Sequence, residues 1–323
     1  MQRAPDDSIA AHRALLDMTP PALESLHALF GLFNAQGKSD AAFCVASTLS
    51  GVGGATPDER ALVDANAAKP PPVELPQLAD SEAVHAPGDE GAARALLAAA
   101  AAEVARALPT QMTGRGAQVK GDNPVRRVVA AIARALAIPE PQLFLARSEP
   151  AVVAPIAGET DGLLVGAEVP RRYSPRQQRF LYARALAHIR RGTHAVAGLP
   201  AARLATVVSE LIRLTAPSGT DLSRLPVADA ALSELLARQV SAEARERLAP
   251  LSARAAAELP TNWEPLALGI RESAERAGLA VAGDPGAAIA IVAAECQGGL
   301  DRPEVARLVR FAISEAFLST RLK

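Results

Sequence analysis

Aromatic side chains are scarce in this sequence, with seven Phe, two Tyr and one Trp in 323 residues. A core short of large rings closes with Ala and Leu, and both favour helix. Cysteine is nearly absent. Cys44 and Cys296 stand alone in apolar helical contexts, which excludes a disulfide framework and a CxxC metal knuckle and suits a reducing compartment. No apolar run reaches about 18 residues free of charge. The longest, GAARALLAAAAAEVARALP, is broken by Arg94, Glu103 and Arg106. The opening MQRAPDDSIAAHR has no apolar stretch of the signal-peptide kind. The expectation is a cytoplasmic protein without membrane association. Catalytic signatures are missing too. There is no GxSxG, SGVGG lacks the lysine of a phosphate loop, and the five histidines are scattered. No cofactor and no metal are expected.

What the sequence does carry is an uneven charge. Residues 1–100 hold 13 acids against 6 bases, a net −7, and the remainder holds 22 against 28, a net +6. Between Glu168 and Glu210 there is no carboxylate, yet eight arginines stand there: 171, 172, 176, 179, 184, 190, 191 and 203. With only Tyr173, Phe180 and Tyr182 to stack on bases, this is not read as a nucleic-acid groove. Arg171, Arg172, Arg176, Arg179 and Arg191 form instead a candidate interaction surface, for an acidic protein partner or for the acidic first hundred residues.

Periodicity predicts a mainly α protein: helical hairpins, then a helical domain containing one small antiparallel sheet. Residues 1–66 read as hairpins. Leu26, Leu29, Phe30 and Phe33 repeat at helical spacing, Gly37 turns the chain, and Ala42, Cys44, Val45, Ala46 and Leu49 answer from the next helix. Thr56 and Glu59 sit at capping-box spacing. Residues 67–90, with five prolines and a run of acids, read as a spacer. Residues 91–323 form the larger domain. Helices are expected near 91–108 and after Asn123-Pro124, three strands across about 141–168, a helix opened by Ser174, and then helices to the end, near 201–216, 227–239, 241–258, 263–279, 285–296 and 302–320.

The first hairpin resembles tetratricopeptide repeats. Ser8 falls where that family has a small residue, His12 where it has an aromatic and Pro20 where it has its closing proline. Phe33 and Ala42 keep the spacing of the next unit. The Trp, Gly and Tyr signature is incomplete, and the resemblance spans about 50 residues. It implies a surface for protein partners, and since one repeat cannot bury its own face, it implies either packing on the rest of the chain or a likeness to the tail of a longer repeat protein.

A second resemblance rests on order and texture across about residues 123–216. Helix, small sheet, then a helix reading ARALAHI is similar to the gluzincin peptidases, whose active helix reads AHELGHI in one family. Arg184 then stands at the first zinc ligand, Ala185 at the general base and His188 at the second ligand. In HExxH the two histidines share a helical face and the glutamate deprotonates metal-bound water. A permanent cation and a methyl group do neither. The family takes its third ligand, a Glu, from a following helix, where this chain offers Glu210. The resemblance therefore implies a dead site of Arg184, His188 and Glu210, with Arg184 pairing Glu210 where zinc would lie. The function expected is non-catalytic scaffolding or regulation through helical surfaces. The alternative is an enzyme that reuses the former cleft. The sequence names neither a partner nor an oligomeric state.

Overall fold

The computed structural model describes residues 3–18, 20–69, 75–78, 81–109, 116–147, 151–159 and 161–321. In chain order its helices are α1 (Arg3–Leu16), α2 (Leu23–Ala35), α3 (Ser39–Gly51), α4 (Pro57–Ala67), α5 (Ala92–Ala99), α6 (Ala101–Ala107), α7 (Pro124–Ala135), α8 (Val169–Arg172), α9 (Pro175–Arg190), α10 (Ala201–Thr215), α11 (Ala230–Gln239), α12 (Ala242–Ala257), α13 (Glu264–Ala282), α14 (Pro285–Cys296), α15 (Pro303–Ala312) and α16 (Glu315–Arg321). The strands are β1 (Ala117–Gln118), β2 (Gln142–Ala146), β3 (Val153–Ile156) and β4 (Gly162–Gly166). The protein is mainly α with one small sheet. Among the described residues no helix is long and apolar enough to cross a membrane.

Local chemistry sets many of the helix starts. The side chains of Thr56, Asn123, Asp229, Ser241 and Asp284 each accept a backbone N–H from the first turn that follows. At Thr56 the capping box is complete, because Glu59 reaches back to the Thr56 N–H at 2.7 Å. Two helices expected to be continuous are broken. The stretch near 91–108 interrupts at Ala100, and the last one divides at Ile313 and Ser314.

The chain forms two compact units, each assembled from separate segments: residues 1–84, 170–184 and 275–323 in unit 1, and 85–169 and 185–274 in unit 2. Helix α9 gives its first ten residues to unit 1 and the rest to unit 2. In unit 1 the buried run Ala42–Leu49 makes α3 the central helix, touching α2, α4, α14 and α15. The repeat-like hairpins are thus covered by helices from the far end of the chain. Contact between α3 and α14 is close because glycines permit it. A Cβ on Gly286 would land on the Ser47 carbonyl oxygen, and one on Gly51 would come within 2.9 Å of the Gly286 Cα.

Unit 2 buries a cluster of Ala, Leu and Val from α5, α6, α10, α11 and α12, with Leu266 and Ile270 of α13. Its sheet has the order β1-β2-β4-β3. The sheet is mixed, where consecutive strands led to the expectation of an antiparallel one. β2 runs parallel to β4, Leu143 opposite Leu163, while β3 pairs antiparallel with β4 and β1 with β2. All five residues of β4 are buried, as suits a strand flanked on both sides.

The stretch expected as a spacer is anchored where it is described. Leu78, Val84, Ala86 and Asp89 are buried, and residues 82–84 form a 3₁₀ turn. In unit 2 the Ala86 N–H donates to Ser273 Oγ at 2.9 Å. Gly88, at φ +87°, lies so close to Pro265 that a Cβ would meet its carbonyl oxygen at 2.5 Å. Residues 70–74, 79 and 80 of that stretch lie outside the described residues.

Candidate functional site

The three residues expected to share a dead zinc site are each taken up elsewhere. In unit 1, Arg184 forks onto Glu295 of α14, with N–O distances of 2.7 and 2.6 Å, and its guanidinium lies 5.2 Å from the Phe180 ring centroid. The partner expected for it was Glu210. The paired N–H donors of arginine do fork onto a carboxylate, but α14 supplies that carboxylate.

Glu210 is fully buried in unit 2, and its Oε1 accepts from Arg213 Nη1 at 2.7 Å and from the Asp229 N–H at 3.0 Å. It therefore ties α10 to the start of α11. Its Oε2 is buried without a hydrogen-bond partner. His188 is buried, with Nδ1 3.0 Å from Thr193 Oγ1, and its carbonyl accepts the Thr193 N–H at the end of α9. His194, also buried, lies 3.0 Å from Asp161 through Nε2. Among the described residues no three His, Cys, Asp or Glu side chains are grouped to hold a metal ion. Burial pushes both the Cys44 thiol and the Tyr182 hydroxyl up to about 12, so neither is a ready nucleophile at neutral pH.

The arginines separate into two sets. Arg191 is mostly buried and paired. In unit 2 it pairs with Asp89, an acid of the first hundred residues, and Asp89 also accepts from Arg94 Nε at 2.5 Å. Arg94 Nη2 reaches the Arg191 carbonyl at 2.8 Å. The Asp89 side chain is wholly buried and the two arginines nearly so. Burial, offset in part by Asp89 and reinforced by Arg94, pushes the Arg191 pKa down.

The other set stands at the head of α9, in unit 1. Arg171 and Arg172 are exposed, and Arg172 lies over the Tyr173 ring. Arg176 donates to the carbonyls of Asn66 and Lys69 at 2.8 and 3.3 Å, and its Nε is 3.7 Å from Asp284. Arg179 is half-buried. Its Nη1 is buried with no hydrogen-bond partner among the described residues, and burial followed by the charge of Arg176 lowers its pKa. Two cations one helical turn apart make a local excess of positive charge.

Sequence reasoning passed over a cavity of about 570 Å³ in unit 1. Its walls are a stripe of α1 (Ile9, Ala10 and Arg13), the corner between α2 and α3 (Phe33 and Lys38) and Leu318 of α16. The α1 stripe follows the helical repeat, a local signal. That α16 lies beside it has none, since Arg13 and its partner Glu315 are 302 residues apart.

Compared with protein-family models, curated proteins and solved structures, the chain matches none of them.

Proposed function

We propose that this is a non-catalytic interaction protein whose basic face at the head of α9 receives an acidic segment of a protein partner. The observation that carries the reading is the pair Arg171 and Arg172, exposed beside the half-buried cations Arg176 and Arg179 in a stretch without carboxylates. An acidic peptide laid across that face pairs with the exposed Arg171 and Arg172 and offsets the repulsion between Arg176 and Arg179. The taking-up of Arg184, His188 and Glu210 in structural contacts supports the same reading.

The test is fluorescence anisotropy with a labelled oligo-glutamate peptide, using the full chain. Saturable binding at low salt is expected, weakening as ionic strength rises toward the ~8–10 Å screening length of physiological buffer. The paired substitution Arg171→Glu and Arg172→Glu, both at exposed positions, should abolish it. Equal binding by that variant, no binding at low salt, or tighter binding of a single-stranded oligonucleotide overturns the reading.

A further inference from the structure

We propose a second binding site, in the cavity of unit 1, for a small amphiphilic carboxylate: one acid head on an unbranched apolar tail. The volume of about 570 Å³ falls within the ~300–1,000 Å³ of ligand cavities, which pair an apolar lining with a few converging polar groups. Ile9, Ala10, Phe33 and Leu318 supply the apolar part, from helices α1, α2 and α16.

The charges around it determine the head group. Three carboxylates line the cavity, and two are already satisfied. Asp40 is forked by Arg321 at 2.8 and 2.7 Å, and Glu315 is paired with Arg13 at 2.8 Å. Among the described residues Asp6 meets Gln36 Nε2, at 3.5 Å, and makes no ion pair. On the basic side Lys38 is exposed and makes no ion pair among the described residues. Arg13, whose guanidinium lies 5.9 Å from the Phe33 ring centroid, keeps a buried Nε without an acceptor, and its partner Glu315 is largely in solvent. A single negative charge fits the exposed Lys38 ammonium. A dianion such as a phosphate monoester brings a second negative charge that Lys38 alone does not match and that Asp6 repels. A cationic head gains only Asp6.

The experiment is titration calorimetry on the full chain with decanoate, decan-1-ol and decylammonium, each below its aggregation concentration. Decanoate should bind one-to-one and roughly tenfold more tightly than decan-1-ol, the worth of one charge-assisted contact. Lys38→Glu should remove that advantage and leave decan-1-ol unchanged. Ala10→Trp, at an exposed position in the cavity wall, should block every probe, with Ser319→Trp as a second filling variant. Thermal melts matching the parent protein show that the variants fold. Equal affinity for the acid and the alcohol, tighter binding of decylammonium, or decanoate binding unmoved by Lys38→Glu overturns the proposal. So does a ligand-free dimer that Ala10→Trp dissociates, since a second copy would then be the occupant. These readouts are independent of the acidic-peptide site, because Arg171 and Arg172 do not line the cavity.

Discussion

Replacing Asp89 with alanine tests whether residues 85–90 are a spacer or a clamp. The carboxylate is fully buried and holds two guanidinium groups, Arg94 through Nε at 2.5 Å and Arg191 through Nη2. Arg94 in turn holds the Arg191 carbonyl at 2.8 Å. The side chains of Arg94 and Arg191 are only 9% and 14% exposed, so little water is on hand to replace the lost anion. Asp89→Ala leaves two like charges facing each other in a poorly solvated place. Breaking a buried pair from one side costs about 3–5 kcal/mol. For a unit of this size each kcal/mol moves the melting temperature by about 2–4 °C, so the transition of unit 2 should fall by about 6–20 °C. Differential scanning calorimetry reads the shift. Arg191→Leu should cost less than Asp89→Ala, because Arg94 still neutralises the acid. Combining Arg191→Leu with Asp89→Ala should cost less than the two single changes added together. Cleavage after Glu90 by a glutamate-specific protease should be slow in the parent and fast in the variant. A melting temperature within about 2 °C of the parent, together with rapid parental cleavage at Glu90, refutes the clamp.

Other changes probe unit 1 and the former zinc reading. Glu59 has a pKa held below the ordinary 4.5, because burial, which raises it, is outweighed by hydrogen bonds from His27 and Thr56. Its contribution to stability is therefore complete above pH 4.5 and lost as pH falls through the lower folded value; urea midpoints of the parent and Glu59→Gln should differ at pH 6 and converge in acid. Gly286→Ala puts a methyl on the Ser47 carbonyl oxygen, and should lower stability by about 1–3 kcal/mol in chemical denaturation. Arg184→Ala breaks an ion pair whose Glu295 side chain is 49% exposed, so the loss of the pair alone should cost under about 1 kcal/mol. Changing Arg184→His and Ala185→Glu together should not create stoichiometric zinc binding, measured by elemental analysis, because Glu210, the third ligand that the peptidase resemblance would need, is fully buried with its Oε1 held by Arg213 and the Asp229 N–H.

What the sequence makes legible is what a few neighbouring residues decide between themselves. Thr56 with Glu59, and Asn123 before Pro124, announce helix starts because the cap bonds close within one turn, and the structure has both. The apolar stripe Leu26, Leu29, Phe33 announces a buried face for the same reason, and all three are buried. The arrangement of β2 beside β4 is not legible. Two consecutive apolar strands pair as a hairpin by default, and only tertiary packing places β3 on the outer side of β4. Partner choice is harder still. Arg184 needs a carboxylate, and the sequence offers Glu210 in the next helix by analogy with a motif. The structure supplies Glu295, 111 residues away, because α14 belongs to the same unit as the head of α9. Asp89 looks like one acid among several in a proline-rich stretch, and nothing local distinguishes it from Glu90 beside it. Burial does: one is enclosed and the other lies in water. The same reasoning governs the cavity of unit 1. Its α1 wall is written in the spacing of Ile9, Ala10 and Arg13, but its function as a wall depends on Leu318, and that pairing is decided when the last helix closes on the first. A site made of distant segments is therefore read only in the finished fold, where Lys38 of the α2–α3 corner and Leu318 of α16 come to one wall.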